Sequence, residues 1–240
     1  MLVTAIFLSL VFILLGSIVT VRNAKYILSG YNTMSESDRA KMDVAAYLRF
    51  FKKFHLFLGI SLLIGYLILS RLNHNWASAY IILYPLLAYA FLLARGNVYY
   101  HGTKGQKAGT YVGIAIILVI AIGTGTTLFS SFRNSEIKLT GEQLIIEGMY
   151  GFKIEKSQIT ELNLAKNIPE ISMKINGFAA GDYAKGSFRT SDGRNIKLFV
   201  NKTVSPYLLI RTTSEEIYFS SDEVSSAEMY LRIKYWTRAL

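Results

Sequence analysis

The chain has 240 residues, 52% of them hydrophobic and 18% charged, with a formal charge of +10 and a mean hydropathy of +0.32. It contains no cysteine, which excludes disulfides, thiolate metal sites and a cysteine nucleophile and suits a domain in an oxidising compartment. Most of the excess charge sits between apolar runs and no groove-reading motif accompanies it, so no nucleic-acid partner is expected.

The charge is unevenly placed. Residues 1–130 hold 11 of the 26 Lys and Arg and 3 of the 16 Asp and Glu, whereas residues 131–240 hold the other 15 and 13. This break predicts a four-span, all-α transmembrane domain over 1–130 and a water-soluble, β-rich domain over 136–240.

Residues 2–21 form an uncharged apolar run, and about 20 helical residues cross a hydrocarbon core. Arg22 and Lys25 follow the run and do not precede it, so it reads as a retained anchor with its N-terminus outside and not as a signal peptide. The second span is expected over 54–70 and the third over 76–94, with Trp76 and Tyr80 in an interfacial belt and Pro85 kinking the helix. The fourth is expected over 110–129, where Gly113, Gly123 and Gly125 would mark helix packing. Loop 22–53 carries seven basic residues and loop 95–109 carries Arg95, Lys104 and Lys107, while the turn between spans two and three has Arg71 alone. Lys and Arg favour the cytoplasmic side, so both larger loops are placed there. An even number of spans then puts the C-terminal domain outside the cytoplasm. The expected location is the bacterial cytoplasmic membrane, multi-pass, with the lipid bilayer as the first partner.

Within the first loop, Gly30, Tyr31, Asn32 and Thr33 begin a turn, and Ser35 followed by Asp38 starts a capped helix expected over 36–51. Val44, Tyr47, Leu48 and Phe51 share a face of that helix, which would lie along the inner membrane surface or pack under the spans. Gly30, Tyr31, Asn32 and Thr33, with Arg39 and Lys41, are the candidate ligand or partner loop.

The stretch Gly-Tyr-Asn-Thr-Met-Ser at 30–35, after a first apolar helix and before Lys41-Met42-Asp43, resembles a family of small bacterial membrane proteins of unknown function over about residues 1–130. The family's triplet is Lys-Tyr-Asp, so Met42 is a departure. The resemblance implies no activity. The same turn also resembles bacteriocin-immunity membrane proteins.

From residue 136 the pattern becomes short runs of two-residue alternation, with strands expected over 143–147, 152–155, 159–164, 170–176, 187–190, 195–199, 207–211 and 216–219. Thr140-Gly141, Tyr150-Gly151, Asn176-Gly177 and Asp192-Gly193 read as turns. Residues 221–236 read as one amphipathic helix capped by Ser221 or Asp222. The opening Ile145-Ile146-Glu147-Gly148, the step Lys156-Ser157-Gln158-Ile159 and the close Leu209-Ile210-Arg211-Thr212, Ile217-Tyr218-Phe219-Ser220 resemble a bacterial pleckstrin-homology-like domain. That resemblance implies a partly open barrel with one C-terminal helix, a fold that serves lipid binding, peptide binding and self-assembly alike.

Catalytic constellations do not stand out. His55, His74 and His101 sit apart, without partners at ligand spacing, so no metal site is expected. Gly96, Gly102, Gly105 and Gly109 lack the Gly-Lys-Ser/Thr ending of a phosphate loop and read as a flexible loop. Residues 131–240 contain no histidine for a Ser–His–Asp set. The spans carry no charged residue, which argues against coupled transport. The reading is a non-enzymatic, cofactor-free membrane protein of the cell envelope that binds a peptide, a protein or itself as a homo-oligomer. The alternatives are a bacteriocin-immunity or envelope-stress protein and, third, a small-solute channel or transporter.

Overall fold

The computed structural model describes residues 1–238. The chain divides into two compact units, Met1–Thr126 and a second from Thr127 onward. The first is helical: α1 (Leu2–Ile18), two single turns α2 (Ala24–Ile27) and α3 (Glu36–Arg39), then α4 (Val44–Leu72), α5 (His74–Gly96) and α6 (Lys104–Ser131), the last running into the second unit. Three helices are long and apolar enough to cross a membrane, over Val44–Leu72, His74–Tyr99 and Lys107–Ser131. At 17 residues α1 is apolar but shorter, about 26 Å at 1.5 Å per residue.

Close packing fixes how α1 meets α4. Gly16 lies against His55, and Gly59 against Ser9 and Ile13, so the two helices run antiparallel. A Cβ on Gly59 would stand 2.6 Å from the main-chain oxygen of Ser9, so only glycine permits this approach. Polar side chains then join α4 to α5. Ser61 Oγ and Tyr84 Oη are 2.6 Å apart, and Tyr80 Oη donates to the Ser61 carbonyl at 3.0 Å. Tyr80 therefore turns into the bundle and does not join a surface belt, whereas Trp76 is exposed. His55, buried inside α4, bonds the Phe51 carbonyl through Nδ1 at 2.9 Å. A carbonyl only accepts, so Nδ1 carries the proton and Nε2 accepts from Tyr89 Oη at 3.0 Å. The tight glycine contacts fall at Gly16, Gly59 and Gly65 and not where span four was expected to pack. A Cβ on Gly113 or Gly125 would meet Leu93 or Leu83 at ordinary contact distance, and one on Gly123 would have nothing within 4 Å.

The expected helix over 36–51 is broken. Met42 forms an isolated antiparallel bridge with Tyr100, which extends the backbone, and Asp43 then caps α4 by accepting from the Ala46 N–H at 2.9 Å. Residues 44–51 are therefore the first turns of the second long helix. The Gly-rich loop also contracts, because Asn97–Tyr99 form a 3₁₀ turn and helix α6 takes up everything from Lys104.

The second unit holds β1 (Ile137–Leu139), β2 (Gln143–Ile146), β3 (Phe152–Glu155), β4 (Ile159–Ala165), β5 (Ile171–Ala180), β6 (Tyr183–Thr190), β7 (Asn195–Asn201), β8 (Tyr207–Thr212), β9 (Glu216–Phe219) and α7 (Ser226–Arg238). Strands β1-β2-β3 form one sheet, and a second has the order β4-β8-β9-β7-β6-β5. Both sheets and α7 bury one core that includes Leu144, Ile154, Phe199, Ile210, Ile217, Phe219 and Ile233. Strand β1 was not expected; three residues are too few to show alternation. Ser225, and not Ser221 or Asp222, caps α7, accepting from the Glu228 N–H at 3.1 Å.

Asn176-Gly177 is not a turn. It lies inside β5, where Gly177 faces Gly186 across the hairpin and a Cβ on Gly177 would stand 2.2 Å from the Lys185 carbonyl oxygen. The pair lets two main chains touch where any side chain would part them. Gly186 is further held at φ +109°, and its own Cβ would meet the Asn176 carbonyl oxygen at 2.4 Å. Gly193, at φ +88°, has open space around it. In a fragment spanning residues 133–240, which should unfold cooperatively, Gly193→Ala is expected to cost about 1 kcal/mol. Gly186→Ala should exceed the roughly 1–3 kcal/mol of backbone strain alone. Equal losses in denaturant titrations would show that the close approach of β5 and β6 is not what demands glycine.

Candidate juxtamembrane pocket and peptide groove

Two loops that are distant in sequence build a cavity in the helical unit. The first runs from α2 through α3 to the start of α4; the second joins α5 to α6. The bridge between Met42 and Tyr100 ties them. The Asp43 N–H donates to the Tyr99 carbonyl at 2.9 Å, and the His101 N–H to the Lys41 carbonyl at 2.8 Å. Tyr99 stacks on Phe50 with ring centroids 5.6 Å apart and meets Tyr47 edge-on at 5.9 Å. Beneath them Ala24, Leu28, Leu48, Phe51 and Leu92 form a buried apolar floor.

The cavity encloses about 300 Å³. Leu28, Met34, Met42, Leu92 and Leu93 give it apolar walls, Tyr31, Tyr47 and Tyr100 contribute rings, and Ser29, Asp38, Asn97 and Thr110 are its other polar lining. Asp38 is engaged on several sides: Lys41 Nζ lies 2.9 Å away, Ser35 Oγ donates at 3.0 Å and Tyr100 Oη at 3.3 Å. The Lys41 and Ser35 hydrogen bonds hold the Asp38 carboxyl below the usual carboxylate range, and Asp38 in turn raises Lys41. Burial, with the Asp38 charge beside it, pushes the Tyr100 hydroxyl up. Asn97 stands apart from this network. Its Nδ2 is buried with no hydrogen-bond partner among the described residues.

Of the residues singled out from sequence, Gly30 and Tyr31 line the cavity. Gly30 sits at φ +83°, the left-handed conformation that lets the chain turn after α2. Asn32, Thr33, Arg39 and Lys41 lie outside the lining. Asn32 is exposed and its N–H bonds the Leu28 carbonyl at 3.0 Å; Thr33 Oγ1 donates to the Gly30 carbonyl at 3.2 Å. The Arg39 N–H closes α3 onto the Ser35 carbonyl, and Lys41 acts through its pairing with Asp38. Reading the sequence missed the second loop: Gly96, Asn97 and Tyr100 come from a stretch that looked flexible, and Thr110 from the expected start of span four. Paired tyrosines at 99 and 100 in a short polar loop were the available signal.

The second unit has a shallower groove. Strand β4 is an edge of the six-stranded sheet, and α7 packs beside it. Ile159, Thr160, Glu161 and Leu162 of β4 face Tyr230, Lys234, Thr237 and Arg238, which lie along one side of α7. Glu161 is taken up by Arg211 NH1 at 2.5 Å, while Lys234 lies over the Tyr230 ring at 5.4 Å.

Residues 6–100 match the family model of a domain of unknown function (DUF3784), and residues 135–234 match that of a bacterial PH domain. No curated protein and no solved structure gives a match. The protein thus joins a membrane-type helical region, similar to a family without assigned activity, to a PH-like domain.

The cavity makes distinct demands on the first loop. Tyr31 packs against its apolar floor through the ring. Tyr31→Phe should leave the thermal stability of the purified protein within about 0.5 kcal/mol, as should Asn32→Ala. Tyr31→Ala, which removes the ring, should cost roughly 2 kcal/mol, about half of a full aromatic truncation. A Phe variant as unstable as the Ala variant would show that the hydroxyl, and not the ring, holds the loop.

Proposed function

We propose that this protein is a non-enzymatic integral membrane protein whose PH-like domain, with its two sheets and α7 read as a partly open barrel, binds an extended peptide segment outside the cytoplasm. The observation that carries this reading is the groove between β4 and α7. An edge strand offers main-chain donors and acceptors to an added strand, and side-chain pockets beside it select the sequence. Ile159, Leu162 and Tyr230 supply apolar contacts, and Lys234 and Arg238 place two positive charges along one rim. That charge suits a peptide with acidic side chains. The lack of histidine and cysteine in residues 131–240 supports a binding role for this half.

The location rests on span parity and loop charge. Antiparallel packing of α1 along α4, from Ala5 beside Tyr66 to Gly16 beside His55, supports counting α1 as a fourth span. Helices of 17 residues lie at the short limit for crossing. With the basic loops inside, the N-terminus and the PH-like domain are both extracytoplasmic in the bacterial cytoplasmic membrane. A reporter that fluoresces only in the cytoplasm, fused after residue 240, should stay dark; bright fusions would leave three spans or an inverted insertion.

The peptide reading is tested on the fragment spanning residues 133–240. Peptides selected from a random displayed library should be acidic, and their binding should shift backbone amide signals of β4 and α7. Lys234→Glu with Arg238→Glu should weaken a selected peptide at least tenfold, roughly one charge-assisted hydrogen bond. Peptides whose binding ignores both substitutions and perturbs other strands would refute the groove.

A further inference from the structure

We infer that the juxtamembrane cavity binds a neutral, single-chain amphiphile drawn from the bilayer, an apolar chain carrying an ester or hydroxyl head. Asn97 Nδ2 is a buried donor with no hydrogen-bond partner among the described residues, and a ligand oxygen in the cavity would supply the acceptor. The charge of the lining selects against ions. Asp38 is its one charged side chain among the described residues and is already paired with Lys41 at 2.9 Å. An anionic head would meet no lysine or arginine lining the wall among the described residues, the nearby Lys107 ammonium being taken up by the Asn97 carbonyl at 3.1 Å, and a cationic head would have to compete with Lys41 for Asp38. A neutral head costs neither.

The walls fit the chain of such a molecule. Leu28, Leu92 and Leu93 are aliphatic, and Met34 and Met42 have unbranched, adaptable side chains that accommodate a flexible tail. A volume of about 300 Å³ is at the small end of ligand sites and holds a head with the first part of one chain. Leu93 and Thr110 belong to the apolar helices α5 and α6, so one wall of the cavity is made of span residues. A chain can therefore enter sideways from lipid, without its head first crossing open water.

The test uses the full chain in phosphatidylglycerol nanodiscs and a monoacylglycerol bearing a diazirine on its acyl chain. After irradiation, mass spectrometry should find the label on peptides covering residues 28–47 and 92–110. Excess monooleoylglycerol should displace it, and oleate and oleylamine should not. Asn97→Leu should lower the label about fivefold, the effect of one neutral hydrogen bond. Because Nδ2 has no hydrogen-bond partner among the described residues, the substitution removes no internal hydrogen bond of that group, and circular dichroism and gel filtration will check the fold. Leu93→Trp, which fills the cavity and leaves Asn97 unsubstituted, should reduce the label as well, and decides the matter where Asn97→Leu does not fold. Labelling that is spread over the lipid-facing helices and unchanged in both variants would overturn the site. Displacement by oleate or oleylamine as effective as by monooleoylglycerol would overturn the neutral class.

Discussion

Two main-chain hydrogen bonds, from Asp43 to the Tyr99 carbonyl and from His101 to the Lys41 carbonyl, make one structure out of two loops. Everything around the cavity depends on them. They stop the α3 helix short and leave Asp43 free to cap α4. They also bring Tyr100 within reach of Asp38, sixty-two residues away in the chain. Main-chain bonds suit this purpose because they are indifferent to the side chains on either loop. The walls can therefore change their chemistry while the frame stays put.

Inside the helical unit, the constraint is that polar groups must find one another where water is absent. Tyr89 meets His55, and Tyr84 meets Ser61. Each pairing joins α4 to α5 at one level and fixes their register. These residues would be liabilities on separate helices. Facing each other, they specify which turn of one helix sits beside which turn of the next. Shape does the equivalent work between α1 and α4, where Gly16 and Gly59 admit the neighbouring helix.

What could be read in advance follows from the range of each signal. Alternation is local, so most strands and the charge break near residue 130 were visible, although β5 extends to Ala180 and β6 begins at Tyr183, beyond the expected limits. Gly177 shows where locality fails. Beside Asn176 it reads as a turn, and only Gly186 on the partner strand reveals a close approach. The cavity is the same problem on a larger scale. Gly30 and Tyr31 attracted notice because they lie in one conspicuous motif. Asn97 did not, because its significance comes from a loop more than fifty residues earlier, and an amide without a partner among the described residues leaves no mark in a sequence.

Helix α6 is exposed along most of its length, with Val112, Ile116, Val119 and Ile122 all facing outward. A Cβ added at Gly123 would meet nothing within 4 Å. For such a helix, the surrounding medium and not a fitted neighbour sets most positions. Substitutions there are judged by oiliness, and one aliphatic residue is nearly as good as another. Along α1 and α4 the criterion is outline, because a single methyl group at Gly59 meets the backbone of the next helix. Over evolutionary time the two regions should therefore drift differently, α6 keeping its character while losing its spelling, and the α1–α4 seam preserving particular letters.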